Sequence, residues 1–170
     1  MERQHLLENW LKAQFPGKIF TLQPASADAS FRRYFRIFLD SKTWIVMDAP
    51  PQQEDCKPFL QVANMLAATG VHVPKVWSYD LAQGFLLLSD LGHTTYLQIL
   101  TQEDDQANQL YSDATDALVK IQLSSQAPNL PDYDETLLRR ELNLFPDWYI
   151  AKHLQADLST KQKAMLENIF

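Results

Sequence analysis

Long apolar runs, disulfides, glycine-rich stretches and a surplus of positive charge are all missing from this chain of 170 residues. No stretch approaches the roughly 18 consecutive apolar residues that span a bilayer, and the amphipathic, acid-flanked N-terminus does not resemble a signal peptide. The single cysteine, Cys56, excludes an internal disulfide framework and suits a reducing cytosol, so the expected location is cytoplasmic. Cys56 has no basic neighbour beyond Lys57 and is not expected to act as a nucleophile. A net charge of −6 argues against general attraction to nucleic acid or to an anionic membrane, despite the basic-aromatic stretch "FRRYFR". The acid is unevenly spread. Residues 1–85 hold nine Lys/Arg against eight Asp/Glu, a balance of +1, and residues 86–170 hold six against thirteen, a balance of −7.

What is present is an ordered change of period. Leu6, Leu7, Trp10 and Leu11 share one face of an amphipathic helix that Phe15-Pro16-Gly17 stops. "IFTLQPAS", "FRRYFRIFL" and "KTWIVMD" then read as three strands of an antiparallel meander, separated by "ADA" and by Asp40-Ser41. After the proline-paired loop "APPQQED", Pro58 sits in a first helical turn, and Phe59, Val62 and Leu66 recur at helical spacing until Gly70. "PKVWSYD" and "GFLLLSD" are two further strands. Beyond Gly92 the pattern is helical: a short piece at Tyr96 to Leu100, a long helix opened by Thr101 with Asp104 as a capping box and running to about Ser124, then "TLLRRELNLF", "PDWYIAKHL" and a last helix capped at Ser159 or Thr160. The order predicts an α+β fold with a sheet lobe over residues 1–91 and a helical lobe over 92–170.

In that order and spacing, "SADASFRRYFRI", "WIVMDAPP", "GVHVPKVWSYD", "GFLLLSDLG" and "RRELNLFPDWYIAKHL" resemble the aminoglycoside phosphotransferase family of small-molecule kinases. Within it, "DASFRRYFR", "VMDAPP", "LLLSDLG" and "ELNLFPDWY" look most like the bacterial anomeric kinases of N-acetylmuramate and N-acetylglucosamine. The resemblance implies a protein-kinase-like two-lobe fold, a five-stranded antiparallel sheet lobe with one intervening helix, and ATP with Mg²⁺ as cofactors. It also implies an amino-sugar acceptor, and a role in cell-wall sugar recycling. Choline or aminoglycoside acceptors, and a non-catalytic nucleotide-binding or scaffold module, remain alternatives.

By the same resemblance the first hairpin closes over the nucleotide phosphates. Such loops need inward N–H groups and small side chains, and Ala29 and Ser30 supply these where the family often has glycine. On the following strand Arg33 shares a face with Phe31, Phe35 and Ile37, while Arg32, Tyr34, Arg36 and Phe38 take the other. An arginine on an otherwise apolar face either meets a ligand or pairs with an acid, here Asp48 or Glu54. The question matters because the third strand has no lysine over Trp44 to Asp48 and the helix "KPFLQVANMLAATG" has no acidic residue, the two parts that kinases pair to hold phosphates. Arg33 or Arg36 is therefore expected to supply the phosphate-facing cation. Ser89, Asp90 and Leu91 occupy the inter-lobe connector, where the C=O of Ser89 and the N–H of Leu91 are expected to hold adenine. Glu141, Asp147 and Trp148 are candidates for the acceptor wall.

No His-x-Asp-x-x-x-x-Asn signature follows any of His5, His72, His93 or His153, so no catalytic residue is assigned. "DYD" (Asp132 to Asp134) precedes a helix and reads as a cap, "EDD" (Glu103 to Asp105) as first-turn acids opposing the helix dipole, and neither as a metal site. The chain is expected to be the N-terminal part of a longer kinase, or a natural truncation, inactive as written.

Overall fold

Strand alternation sets the packing in a computed structural model of the chain, which describes residues 2–27, 30–102, 106–124 and 130–170. Five strands form one antiparallel sheet in the order β1-β2-β3-β5-β4: β1 (Thr21–Ala27), β2 (Arg33–Leu39), β3 (Lys42–Asp48), β4 (Val76–Asp80) and β5 (Phe85–Ser89). The five-stranded antiparallel sheet expected from the sequence is present. β2 turns into β3 through Asp40-Ser41, with Asp40 in the left-handed region at φ 52, a conformation that aspartate tolerates better than most residues.

Each face of the sheet carries one helix. Helix α1 (Glu2–Gln14) buries Leu7 and Leu11 against Ile37, Val46, Phe85 and Leu87, with Trp10 and Phe15 packed at the margin. Helix α2 (Lys57–Ala68) sends Phe59 and Leu60 to the opposite cluster of Met47, Ala49, Cys56, Leu86 and Leu88. β5 lies between the two clusters, which is why "FLLLS" is apolar throughout: Phe85 and Leu87 face α1, and Leu86 and Leu88 face α2. Gly70 ends α2 at φ 78, the left-handed residue that the C-terminal cap requires.

Among the described residues one charge is fully buried. Asp48, at the end of β3, accepts from Arg3 Nε of α1 at 2.8 Å and from Arg33 Nε of β2 at 3.1 Å. Arg3 also donates to the Gln83 carbonyl at 2.7 Å and covers the Phe85 ring at 4.7 Å. Two guanidiniums thus compensate a carboxylate that would be costly to bury alone, and together they tie α1 to the sheet.

The remaining helices are α3 (Tyr96–Gln102), α4 (Ala107–Ser124), α5 (Glu135–Leu144) and α6 (Thr160–Ile169), with a π-helical segment over Phe145–His153. Thr101 does not open the long helix. Its hydroxyl donates to the Leu97 and Gln98 carbonyls in the last turn of α3, so it is satisfied inside that helix, and α4 starts at Ala107. The other half of the expected capping box, Asp104, lies outside the described residues, as do Glu103 and Asp105. A capping box is found six residues earlier, where Thr95 and Gln98 exchange bonds at the start of α3. Asp134 caps α5 by accepting from Leu137 N at 2.9 Å, and Ser159 and Gln162 form a reciprocal box at α6.

The chain divides into two compact units, residues 1–126 and 127–170. The boundary expected after residue 91 falls inside the first of them. In the second unit α5 runs on through Pro146, where two separate helices were expected. Proline removes one ladder hydrogen bond, and the helix continues with wider turns, as in the bond from Leu154 N to the Tyr149 carbonyl. Among the described residues no helix is long and apolar enough to cross a membrane.

Candidate functional site

The sheet register puts Arg36, Ile45 and Leu88 in one row across β2, β3 and β5. That row lies on the face that carries α2, and with Ala25 and Tyr34 it roofs a cavity of about 510 Å³. Phe59 of α2 and Pro74 close one side, and the stretch from Ser89 to Thr95 closes the other. The volume falls within the several hundred Å³ typical of small-ligand sites, and the lining is mostly apolar with a few convergent polar groups.

Those polar groups are organised around the connector. Arg36 donates from Nε to Asp90 Oδ2 at 2.6 Å and from Nη2 to Asp90 Oδ1 at 3.0 Å, and Nη2 also reaches the Gly92 carbonyl at 2.7 Å. The Gly92 N–H donates back to Asp90 Oδ1 at 2.9 Å. Gly92 itself sits at φ 96, open to glycine and strained for a side-chain-bearing residue. At the start of the connector, Ser89 N donates to the Lys75 carbonyl and Ser89 Oγ accepts from Lys75 N. Leu91, half exposed, lies between these anchored residues.

The Arg36 guanidinium holds the Asp90 carboxyl below its ordinary value, and the carboxylate raises Arg36 in turn. Because the folded pKa of Asp90 is depressed, the unfolded chain binds more protons at low pH. The contribution is complete above the unfolded value of about 3.9 and is lost as pH falls below it. The difference in urea midpoint between the wild type and Asp90→Asn is therefore expected to be full at pH 6 and to shrink steadily below about pH 4. A difference that stays constant down to pH 3 would show that the carboxylate is not held in this way.

Residues 21–170 match the profile of the phosphotransferase enzyme family (APH). The chain belongs to this family. It is 53% identical over 148 residues to an N-acetylmuramate/N-acetylglucosamine kinase of Pseudomonas aeruginosa, covering 87% of this chain and 43% of that protein. Proteins with the same name from Pseudomonas putida and Neisseria meningitidis are 47% and 41% identical, over 88% and 97% of this chain and 43% and 50% of their own lengths. The chain thus spans about half the length of the curated relatives it matches.

Of the nucleotide-site residues expected in this phosphotransferase sequence, the structure brings Arg36, Ser89, Asp90 and Leu91 to one cavity. Arg33 is placed elsewhere. Its side chain lies on the α1 face, over the Phe35 ring and paired with Asp48, because strand alternation turns it away from Tyr34 and Arg36. Ser30 is exposed and its hydroxyl accepts from Arg32 N, while Ala29 lies outside the described residues. Just beyond Ser30, Glu54 accepts from Phe31 N and from Arg32 Nε, fixing the foot of the hairpin to the loop before α2.

The third strand presents Ile45 and Met47 to the α2 face, both apolar, so β3 offers no cation there. Arg36 and His93 are the basic side chains of the described lining. His93, Tyr34, Ile45 and Phe59 were not singled out from sequence. Burial pushes the Cys56 thiol above its ordinary value, which suits an inert core position. In the second unit Glu141, Asp147 and Trp148 are all exposed, with Trp148 at 63%, and Asp147 borders a recess of about 240 Å³. Leu142, Phe145 and Tyr149 are 36%, 46% and 49% exposed there, and Phe145, Tyr149 and His153 stack in a column at 5.6 and 5.5 Å.

A larger cavity, about 590 Å³, opens on the α1 face between Phe15, Trp44 and Trp77 and shares only Ser89 and Asp90 with the first. It has neither the first hairpin nor Leu91 to Thr95 in its wall, so size alone does not make it the better candidate. Among the described residues no three His, Cys, Asp or Glu side chains are grouped to hold a metal ion, so Mg²⁺ is assigned no ligand here.

Proposed function

We propose that these residues form the nucleotide-binding part of an ATP-dependent small-molecule kinase whose acceptor is the anomeric hydroxyl of an N-acetylated amino sugar. The carrying observation is the cavity walled by β2, β3, α2 and the Ser89 to Thr95 connector. Adenine would lie under Ile45 and Leu88, with the Ser89 carbonyl and the Leu91 N–H as its hydrogen-bonding edge, and Ala29 and Ser30 are proposed for the phosphate end. Apolar walls with a few backbone partners suit a flat base that carries both donors and acceptors.

Membership of a phosphotransferase family supports transfer of the γ-phosphoryl group, and the names of the relatives support the amino-sugar acceptor. In the whole protein the acceptor oxygen would attack the γ-phosphorus, ADP would leave, and the hydroxyl proton would pass to a base. Glu141, Asp147 and Trp148 are proposed for the acceptor side, where an indole face can pack on a sugar ring. A sugar 1-phosphate made in this way fits the recycling of cell-wall sugars.

The test is ³¹P NMR of the whole protein that carries this sequence, supplied with Mg-ATP and N-acetylmuramate or N-acetylglucosamine. A new anomeric sugar phosphate appearing in step with ADP is expected. ATP binding without transfer to either sugar, together with turnover of choline or an aminoglycoside, would overturn the acceptor assignment. Absence of nucleotide binding would overturn the proposal as a whole.

A further inference from the structure

We infer that Arg36 is a positioning residue for the nucleotide cavity, acting through Asp90 and Gly92 on the connector, and is not the cation that holds phosphate. The inference rests on the nucleotide reading of the cavity. Three of the five guanidinium donors are committed, one from Nε and two from Nη2, to Asp90 and to the Gly92 carbonyl. The carboxylate is used on both oxygens and also receives the Gly92 N–H. The result is a closed loop of bonds that ties β2 to a segment more than fifty residues away, with both polar groups of the Gly92 backbone inside it.

Shelter makes this loop stiff. The Arg36 and Asp90 side chains are only 18% and 6% exposed, so salt screens the pair weakly, and its bidentate geometry is the strong form of the interaction. A phosphate recruited by Arg36 would have to displace Asp90 or lie beside its negative charge, and like charges at that range repel. The same bonds do something useful if left intact. They hold residues 90–92 in one conformation, with glycine at φ 96, so the backbone edge offered to a base is set before the base arrives. Preorganisation of this kind lowers the ordering cost of binding, and it acts on the base end of the ligand whatever number of phosphates follows.

That last point supplies the test. Binding of adenosine, ADP, ATP and inorganic tripolyphosphate is measured by calorimetry on the whole protein, for the wild type, Arg36→Lys, Asp90→Asn and the exchanged pair Arg36→Asp with Asp90→Arg. Arg36→Lys keeps the positive charge but loses the fork. It is expected to weaken adenosine, ADP and ATP by a common factor of about ten, and to leave tripolyphosphate binding unchanged. The exchanged pair is expected to recover part of that factor, which a variant that merely folds poorly would not do. A loss that grows with each added phosphate, or equal affinity of all variants for adenosine, would overturn the inference while leaving the nucleotide site in place. If the wild type binds none of the adenine ligands, the nucleotide reading falls and this inference with it.

Discussion

Gly84→Ala is expected to destabilise the first unit by at least about 3 kcal/mol, the largest effect of a methyl group added at any of the chain's four glycines. Gly84 closes the turn between β4 and β5 at φ 71, and a Cβ built there stands 1.8 Å from the Ala49 carbonyl oxygen and 3.3 Å from the Pro51 ring. The obstacle is backbone and cannot rotate away. Ala49 N donates to the Gly84 carbonyl at 2.8 Å and Gly84 N donates to Asp80 at 2.7 Å, so both partners are held from two sides. Relief would pull the turn off the end of β3, next to buried Asp48, and would disturb the Gln83 carbonyl that receives Arg3. Gly70→Ala is the comparison. It has a similar φ of 78 and nothing within 4 Å of its Cβ, so only the left-handed strain of about 1–2 kcal/mol applies. Urea denaturation separates the two, and midpoints within experimental error of each other would refute the crowding at Gly84.

Such a backbone approach leaves no trace in the sequence, whereas much of the sheet does. All five strands were legible because each sits in a short β-branched or aromatic run bounded by a turn residue, and Gly70 was legible as a helix end because left-handed caps favour glycine. The alternation in β2 was also legible, putting Arg33 and Arg36 on opposite faces. What alternation does not say is which face carries which helix. Both α1 and α2 present an apolar stripe, so either could cover either side. The apolar neighbours of Arg33 suggested a ligand or an acid. Phe35 and Ile37 do pack in the α1 cluster while Phe31 is exposed, and Arg33 ends that row by meeting Asp48. Arg36 faces the cavity instead, and its partner Asp90 lies 54 positions away. Long-range ion pairs of this kind are tertiary choices, and a single sequence gives no local sign of them.

Helix starts were less secure for a related reason. Thr101 and Asp104 satisfied a capping spacing, but Thr95 and Gln98 satisfied the same rule six residues earlier, and a threonine inside a helix can instead donate back to a preceding carbonyl. At Pro146 two separate helices were expected, but the outcome is a widened helix and not a break. The sequence of "LFPDWY" admits both.

The functional prediction with the largest effect concerns which of the two cavities holds the ligand. Ala25→Trp is expected to weaken ATP binding by on the order of 100-fold or more, since an indole group would fill much of the space between β1 and the connector. Ala25 lies on β1, an edge strand, beside the irregularity between Pro24 and Ser26, so the added ring can enter the cavity without prising a central strand from its neighbours. The urea midpoint should accordingly stay near that of the wild type. Lys42→Trp is the matched control, because Lys42 borders the larger aromatic cavity on the α1 face and is exposed. It should leave ATP binding as it was. If calorimetry finds the reverse, with Lys42→Trp blocking ATP and Ala25→Trp harmless, the ligand lies against Trp44 and Trp77. The row of Arg36, Ile45 and Leu88 would then be sheet packing and nothing more. A 100-fold loss from Ala25→Trp alone would put the base under Ile45, on the face where the connector's anchored backbone can meet it.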